Sequence, residues 1–170
     1  MSCARLRPAP KPVVLTPTVL SDSFSGAIAG VCQPLYGGFS MVRGVGTDIV
    51  VIEDLRLRME RSPGLEQKVF DPGESAYCRS MARPFQHFAA RFAAKEAVMK
   101  ALGTGWGAGV DFADIVVVRG AEGAPTVELK GEAARRVLAA SGRVHVSLSH
   151  AGEHAVAFAV FEAQEELHHG

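Results

Sequence analysis

Two acidic residues far apart in the chain have the chemistry to share a cation. Asp48 stands in a β-branched, apolar stretch directly behind Gly44-Val45-Gly46-Thr47, an unusual place for a carboxylate. Glu96 lies in a segment with helical spacing, one turn before Lys100. A buried carboxylate must be paired, hydrogen-bonded or bound to a metal, and carboxylate oxygens are ligands that Mg²⁺ prefers. We therefore predict that Asp48 and Glu96 meet on one Mg²⁺.

Basic residues and a glycine-rich loop follow Glu96 and favour a phosphate ligand. Arg91 precedes Glu96 by five residues, Lys100 follows it by four, and the chain then continues as Gly103-Thr104-Gly105. The backbone N–H groups of such a loop are unobstructed and suit phosphate oxygens, as do neighbouring Lys and Arg side chains. An ordinary surface pair of Glu96 with Lys100, worth about 0.2–0.5 kcal/mol, is the plain alternative. The second carboxylate at position 48 favours the binding site.

A pair of histidines could bind a different metal, zinc. His150 and His154 have the H-x-x-x-H spacing of some zinc sites, and His150 directly follows the predicted strand 144–149. Gly152 lies between the two histidines and predicts a hairpin turn, whereas such zinc pairs need one helical face. A zinc hydrolase around His150 and His154 is therefore the weaker alternative.

The elements that position these residues alternate between helices and paired strands. A strand over 42–52 leads into a helix ending near residue 62, and shorter helices follow at 65–70 and 73–81. Pro84 begins and Gly103 ends a long helix, Phe85–Leu102, whose apolar residues recur every three or four positions. Strands 115–118 with 126–129 and 144–149 with 155–161 predict two hairpins, separated by a helix over 131–141. This pattern predicts an α+β fold with an antiparallel sheet against a long central helix.

Composition bounds the classes of function. The 170 residues are 48% hydrophobic and 21% charged with zero net charge, which indicates a folded domain and argues against a nucleic-acid partner. Residues 56–100 carry nine Lys and Arg against five Asp and Glu, and residues 101–170 carry five against nine. The basic half suits a phosphorylated substrate or an acidic protein partner, although a solvated helical face would look the same.

Cysteine usage and segment composition predict location and domain organisation. The three cysteines form no C-x-x-C pair and indicate a reduced, cytoplasmic protein. No apolar run reaches the roughly 18 residues of a membrane helix, so no membrane partner is expected. Prolines break every pattern in residues 1–40, which predicts a flexible arm, with Met41 as a possible original start. The domain is expected over residues 41–163, and a polar tail over 164–170.

Four segments of the chain resemble the holo-acyl-carrier-protein synthase family of phosphopantetheinyl transferases. The resemblance covers Met41 to about Glu162 and is most specific in the block from Arg91 to Gly105 together with the upstream aspartate. The segments that carry it, in order and spacing, are Gly44-Val-Gly-Thr-Asp48-Ile-Val, Phe88-Ala-Ala-Arg91-Phe-Ala-Ala-Lys95-Glu96-Ala-Val-Met-Lys100-Ala-Leu-Gly103-Thr104-Gly105, Asp114-Ile-Val-Val and Val146-Ser-Leu-Ser-His150.

This resemblance implies a phosphopantetheinyl-transferase-like fold and a reaction. The family transfers 4′-phosphopantetheine from coenzyme A to a serine of apo acyl carrier protein and releases adenosine 3′,5′-bisphosphate. Asp48 and Glu96 fall on the Mg²⁺ ligands. Glu96, or a metal-bound water that it orients, is the candidate base, and Lys100 is the second catalytic candidate, whose charge would stabilise the negative charge that develops in the reaction. The family forms homotrimers with sites shared between subunits. The positions associated with coenzyme binding are Arg91, Lys100, Gly103, Thr104, Gly105 and His150.

Two questions remain open at the level of sequence. Relatives often carry basic residues in the helix after the first strand, where the acidic carrier docks, but this chain has Glu53-Asp54 there, followed by Arg56, Arg58 and Arg61. The preferred carrier, of fatty-acid or polyketide synthesis or another pathway of lipid metabolism, is therefore undetermined. A non-catalytic carrier-binding module with the same fold is the second interpretation, and the intact Asp48 and Glu96 speak against it.

Overall fold

The structure, a computed structural model, describes residues 40–105, 109–120 and 123–164. Apart from Ser40 and Gln164, the predicted N-terminal arm and C-terminal tail lie outside these residues. Among the residues described, no helix is long and apolar enough to cross a membrane.

Helices and strands follow the predicted order, with ends that differ by a few residues. The strands are β1 (Ser40–Val51), β2 (Ile115–Arg119), β3 (Pro125–Leu129), β4 (Gly142–Ala151) and β5 (His154–Gln164). The helices are α1 (Ile52–Arg61), α2 (Leu65–Val69), α3 (Pro72–Ser80), α4 (Pro84–Ala101) and α5 (Gly131–Ala139), with a 3₁₀ turn at Phe112–Asp114.

Two antiparallel sheets confirm the α+β prediction. β1, β5 and β4 form a three-stranded sheet in the order β1-β5-β4, and β2 pairs with β3. Both predicted hairpins are therefore present, while the pairing of β1 along β5, from Ser40 with Gln164 to Val51 with His154, joins the two ends of the domain. This pairing makes β5 the central strand and places β1 at the sheet edge.

The long helix α4 is buried on more sides than its apolar spacing predicts. The sequence indicates one apolar stripe, but eleven of its eighteen residues are buried, among them Arg91 and Lys95. α4 contacts the three-stranded sheet, α1, α3 and β2, so most directions around its axis meet protein. Alanines of α4 pack against alanines of β5, and because these side chains are small, the helix and the sheet approach closely. The alanines concerned are Ala93, Ala94, Ala97, Ala157 and Ala159.

Glycines at two positions of β1 bring the strand backbone against α4. A Cβ atom at Gly44 would overlap the carbonyl oxygen of Ala101, and one at Gly46 would overlap that of Ala97. No residue larger than glycine fits there without displacing backbone. The segment that approaches this strand so closely is the last two turns of α4.

The β1 and β5 part of the sheet face opposite α4 is apolar and exposed. Alternate residues of a strand share a face, and on this face Val45 is 53% exposed, Ile49 65% and Phe158 45%. Large apolar side chains grouped in this way are typical of an interaction surface. We call Val45, Ile49, Val156 and Phe158 the outer sheet face.

Candidate active site

Asp48 and Glu96 line one cavity of about 300 Å³ between β1, α1 and α4. Asp54 and Arg58 of α1 and Phe92 of α4 line the same cavity. We call this cavity the carboxylate pocket. The structure therefore brings together, from positions 48 residues apart, the two acidic side chains that the sequence singles out.

The glycines of β1 explain how Asp48 reaches the helix. Residues 44, 46 and 48 share the face of β1 that meets α4, because alternate strand residues point the same way. Gly44 and Gly46 carry no side chain and let the two backbones touch. Asp48 is the next residue on that face, so its carboxyl group lies beside α4. Its side chain is only 17% exposed.

Lys100 is bound to the strand and not only to its own helix. Its Nζ donates to Asp48 Oδ1 at 2.8 Å and to the carbonyl oxygen of Thr47 at 2.9 Å. The sequence predicts proximity of Lys100 to Glu96, one turn away, but contains no signal for the contact with Asp48. The side chain of Lys100 is 48% exposed, so its ammonium group can also meet an incoming anion.

A buried ion pair fixes α4 next to Glu96. Lys95 Nζ lies 2.7 Å from Glu74 Oε2, with side-chain exposures of 0% and 1%, and it also donates to the carbonyl oxygens of Phe112 and Ile115. Glu74 in turn accepts from the backbone N–H groups of Asp71 and Val117, each at 2.9 Å. Burial lowers the pKa of Lys95 from its ordinary value, and Glu74 opposes that effect. Lys95 thus links α4 to α3 and β2.

Arg91 and His150 line a second cavity, of about 290 Å³. Tyr77, His87 and Arg119 also line it, and we call it the basic pocket. The guanidinium group of Arg91 lies 4.2 Å from the ring centroid of Tyr77, a cation–π arrangement. Within one chain, the structure does not bring Arg91 and His150 into the carboxylate pocket, although the sequence pattern groups Arg91 with Glu96.

The turn after α4 uses its polar groups locally. Gly103 has φ +67°, a left-handed conformation typical of a glycine that ends a helix. The Gly103 N–H donates to the carbonyl oxygen of Lys100, and both the N–H and the hydroxyl of Thr104 donate to that of Met99. Thr104 is fully buried, and Gly105 is the last described residue before the gap at 106–108. A coenzyme role for this turn remains a prediction.

The side chains of the carboxylate pocket fit Mg²⁺ in chemistry. Asp48 and Glu96 offer hard oxygen donors on two different elements beside one cavity. No group of three His, Cys, Asp or Glu side chains spaced for a metal occurs among the described residues. Two protein carboxylates suit Mg²⁺, which commonly completes its shell with water and phosphate oxygens. His154, the partner of the zinc alternative, is not among the residues that line the basic pocket with His150.

Three residues of the basic pocket were not singled out by sequence. Tyr77 and Arg119 carry no recognisable spacing, because α3 and β2 meet α4 only in the fold. His87 precedes Arg91 by four residues on one helix, which places the two side chains on one face. This four-residue spacing is the feature of the sequence that could have indicated a role for His87 beside Arg91.

Comparison with known proteins identifies a family that matches this chain. The model of the 4′-phosphopantetheinyl transferase superfamily matches residues 44–159. The holo-[acyl-carrier-protein] synthase of Desulforudis audaxviator is 46% identical over 123 residues, which cover 71% of this chain and 92% of that protein. The synthase of Clavibacter sepedonicus is 45% identical over 126 residues, covering 73% and 98%.

Solved structures with this fold include coenzyme complexes. A Chronobacterium ammoniagenes ACPS–CoA complex matches with a TM-score of 0.62 and 30% identity, covering 72% of this chain and 98% of that one. The holo-(acyl-carrier-protein) synthase of Bacillus anthracis, in complex with CoA (3′,5′-ADP), matches with a TM-score of 0.61 and 31% identity, covering 73% and 99%. The resemblance drawn from sequence, in family and in fold, is thereby confirmed.

Proposed function

This chain belongs to the holo-[acyl-carrier-protein] synthase family of 4′-phosphopantetheinyl transferases, and we propose that it transfers 4′-phosphopantetheine from coenzyme A to a serine of apo acyl carrier protein in a Mg²⁺-dependent reaction. The observation that carries this proposal is the meeting of Asp48 and Glu96 in one cavity. Coenzyme complexes of similar structures support coenzyme A as the donor. The products are holo carrier protein and adenosine 3′,5′-bisphosphate.

The transfer requires neutralisation of charge and removal of one proton. The serine oxygen forms a bond to the phosphorus that bears pantetheine, and the bond from that phosphorus to the oxygen of the departing nucleotide breaks. Mg²⁺, when held by Asp48 and Glu96, supplies positive charge at the diphosphate. Lys100, fixed by Asp48 and half exposed, adds a cation where negative charge develops on the leaving group. Glu96, or a water that it orients, accepts the serine proton.

Two separate pockets and one apolar sheet face support a homotrimer with shared sites. The carboxylate pocket carries the acidic residues, and Arg91 and His150 lie in the basic pocket. A site that needs both sets is completed when the carboxylate pocket of one chain faces the basic pocket of a neighbour. The outer sheet face has the exposed apolar side chains that such an interface would bury. A second copy of this chain is the proposed occupant of that face.

A mass measurement tests the proposed reaction. We expect purified protein, coenzyme A and Mg²⁺ to raise the mass of an apo carrier by one phosphopantetheine group. Omitting Mg²⁺, with a chelator present, should stop the reaction. Carrier binding without any mass change would favour the non-catalytic module instead. Parallel assays with carriers of fatty-acid and polyketide synthesis would identify the preferred partner.

Arg58 is the proposed contact for the acidic carrier on α1. Arg56 is held by two carboxylates, with Glu53 Oε1 and Glu60 Oε1 each 2.5 Å from its guanidinium group. Arg58 is exposed, lines the carboxylate pocket, and forms no ion pair with any other described residue. Its charge is therefore available to a partner beside the reacting groups.

We expect Arg58→Ala to raise the KM for the carrier about fivefold, as loss of one exposed charge pair of about 1 kcal/mol would. The kcat and the KM for coenzyme A should stay near the values of the parent enzyme. Arg135→Ala, on the distant helix α5, removes the same net charge and is the control. Steady-state kinetics at low salt measure the difference, and equal effects of the two variants would exclude Arg58 as the docking residue.

A further inference from the structure

The basic pocket is built for an anion and contains a residue that the proposed function does not use. Two arginines and two histidines, Arg91, Arg119, His87 and His150, line it, and no carboxylate of the described residues does. The adjoining cavity shares Arg91 and Arg119 with the basic pocket and is lined by Asp71, Glu74 and Glu128. The part of the basic pocket around His87 and His150 is therefore the part that favours a negatively charged ligand. His87 and Arg119 have no assigned role in this set, and His87 is the one whose ring contacts those of Tyr77 and His150.

His87 is fixed between two other elements of the pocket. It lies one turn before Arg91 on α4. Its ring centroid is 5.8 Å from that of Tyr77 on α3 and 6.4 Å from that of His150 on β4, and it meets both rings edge-on. Tyr77 also supports the guanidinium group of Arg91. The imidazole of His87 is thus held beside both the arginine and the second histidine of the pocket.

The charged and titratable groups around His87 disfavour its protonation when the pocket holds no anion. Partial burial lowers the pKa of His87 below its ordinary value of 6.5, and the nearby Arg91 and, after it, His150 lower it further. Tyr77 from α3, Arg119 from β2 and His150 from β4 are the titratable groups that share the pocket with it, and none of them is an acid that would reverse this direction. An anion in the pocket would reverse it, because opposite charge favours the protonated form.

We propose that His87 is a specificity-determining residue of the basic pocket, where it takes up a proton from solvent when a phosphate monoester dianion binds between it, Arg91 and His150. This inference rests on the proposed function, with coenzyme A binding at the Arg91 and His150 positions that the family resemblance implies. The proton is bound by a ring nitrogen of His87, the phosphate keeps its two charges, and no covalent bond changes. Coenzyme A carries one such group, its 3′-phosphate, and dephospho-coenzyme A lacks it.

The sign of the pH dependence follows from this linkage. Because His87 binds its proton more tightly in the complex than in the free protein, affinity for the phosphate monoester rises as pH falls, by up to tenfold per pH unit for one linked proton. The gain is lost above the pKa that His87 has in the complex. It also ends near pH 6, where the phosphate itself becomes protonated. The affinity therefore rises as the pH falls from the pKa of His87 in the complex towards about pH 6.

Isothermal titration calorimetry of the full chain tests the proposal. Titrations at pH 7 in two buffers of different ionisation enthalpy give the number of protons taken up on binding. We expect uptake approaching one proton with coenzyme A and close to none with dephospho-coenzyme A. His87→Gln should abolish the uptake and weaken coenzyme A binding about fivefold, while affinity for dephospho-coenzyme A stays unchanged. His145→Gln, a histidine paired with Glu162 outside this pocket, is the matched control and should behave as the parent protein.

The outcomes separate this inference from the proposed function. Binding of coenzyme A by the parent protein without proton uptake, or with equal uptake for the two ligands, overturns the role of His87 and leaves the transferase intact. Unchanged uptake in His87→Gln does the same. If the parent protein binds neither ligand, the coenzyme assignment of the basic pocket fails, and the inference fails with it.

Discussion

Asp48→Asn and Glu96→Gln should each reduce the rate of phosphopantetheine transfer by at least about a hundredfold. Each substitution keeps the size of the side chain and removes its charge, so the proposed Mg²⁺ site loses one of its two protein carboxylates. Removal of one group that stabilises developing charge commonly costs about 10²–10³ in rate. Initial rates of carrier modification, followed by mass spectrometry at saturating coenzyme A, measure the loss.

A charge-matched variant and a mixed oligomer complete this experiment. Glu60→Gln removes an exposed carboxylate of α1 that does not line the carboxylate pocket, and it should keep nearly full activity. Full activity in Asp48→Asn would rule out the carboxylate site. Co-expression of Asp48→Asn with Arg91→Met, each carrying a different tag, should restore part of the activity, because some interfaces then pair an intact carboxylate pocket with an intact basic pocket. Purified mixed oligomers with no activity would contradict shared sites.

Glu74→Ala should lower the free energy of unfolding by about 3–5 kcal/mol, the usual effect of removing one partner from a buried ion pair. Lys95 has a side-chain exposure of 0%, so the variant leaves its ammonium group with only carbonyl oxygens. The backbone N–H groups of Asp71 and Val117 lose their acceptor as well. Urea unfolding at a fixed protein concentration measures the change.

A double variant separates the charge effect from the loss of packing. Glu74→Leu combined with Lys95→Met replaces the pair by apolar side chains of similar size, and such replacements are often neutral or stabilising. We expect the double variant to be more stable than Glu74→Ala, with the remaining deficit due to the two N–H groups and the two carbonyl oxygens that lose their side-chain partners. Stability of Glu74→Ala within 1 kcal/mol of the parent, about the size of one exposed ion pair, would mean that the Glu74–Lys95 contact contributes little.

Local signals in the sequence predicted most elements of the fold. Pro84 and Gly103 mark the ends of α4 closely because their backbone preferences are local. The hairpin around Gly152 is likewise present. The pairing of β1 with β5 had no such signal, because it joins residues more than a hundred positions apart. Nor did helical spacing show that α4 would be enclosed, since that depends on elements packed around it from elsewhere in the chain.

The sequence predicted parts of the candidate site where a residue type is unusual for its sequence context. Asp48 in an apolar strand and Glu96 beside Lys100 indicated a shared ligand, and the structure places the two acids in one cavity. The contact of Lys100 with Asp48, and the separation of Arg91 from Glu96, depend on how β1 and α3 meet α4. Lys95 shows the same limit, since sequence alone cannot distinguish a buried cation paired with Glu74 from one that faces a substrate.

The glycine contacts between β1 and α4 have a consequence for how a ligand would be captured. Peptide groups that touch with no side chain between them leave the strand and the helix little freedom to slide or separate. The backbones that carry Asp48 and Glu96 are therefore held in place before a ligand arrives, and a cation that binds both side chains would cost little conformational entropy in the backbone. Substitution of Gly46 would be expected to weaken cation affinity even with both acidic side chains unchanged. In this chain, the relative position of the two acidic side chains depends on two glycines that have no side chains themselves.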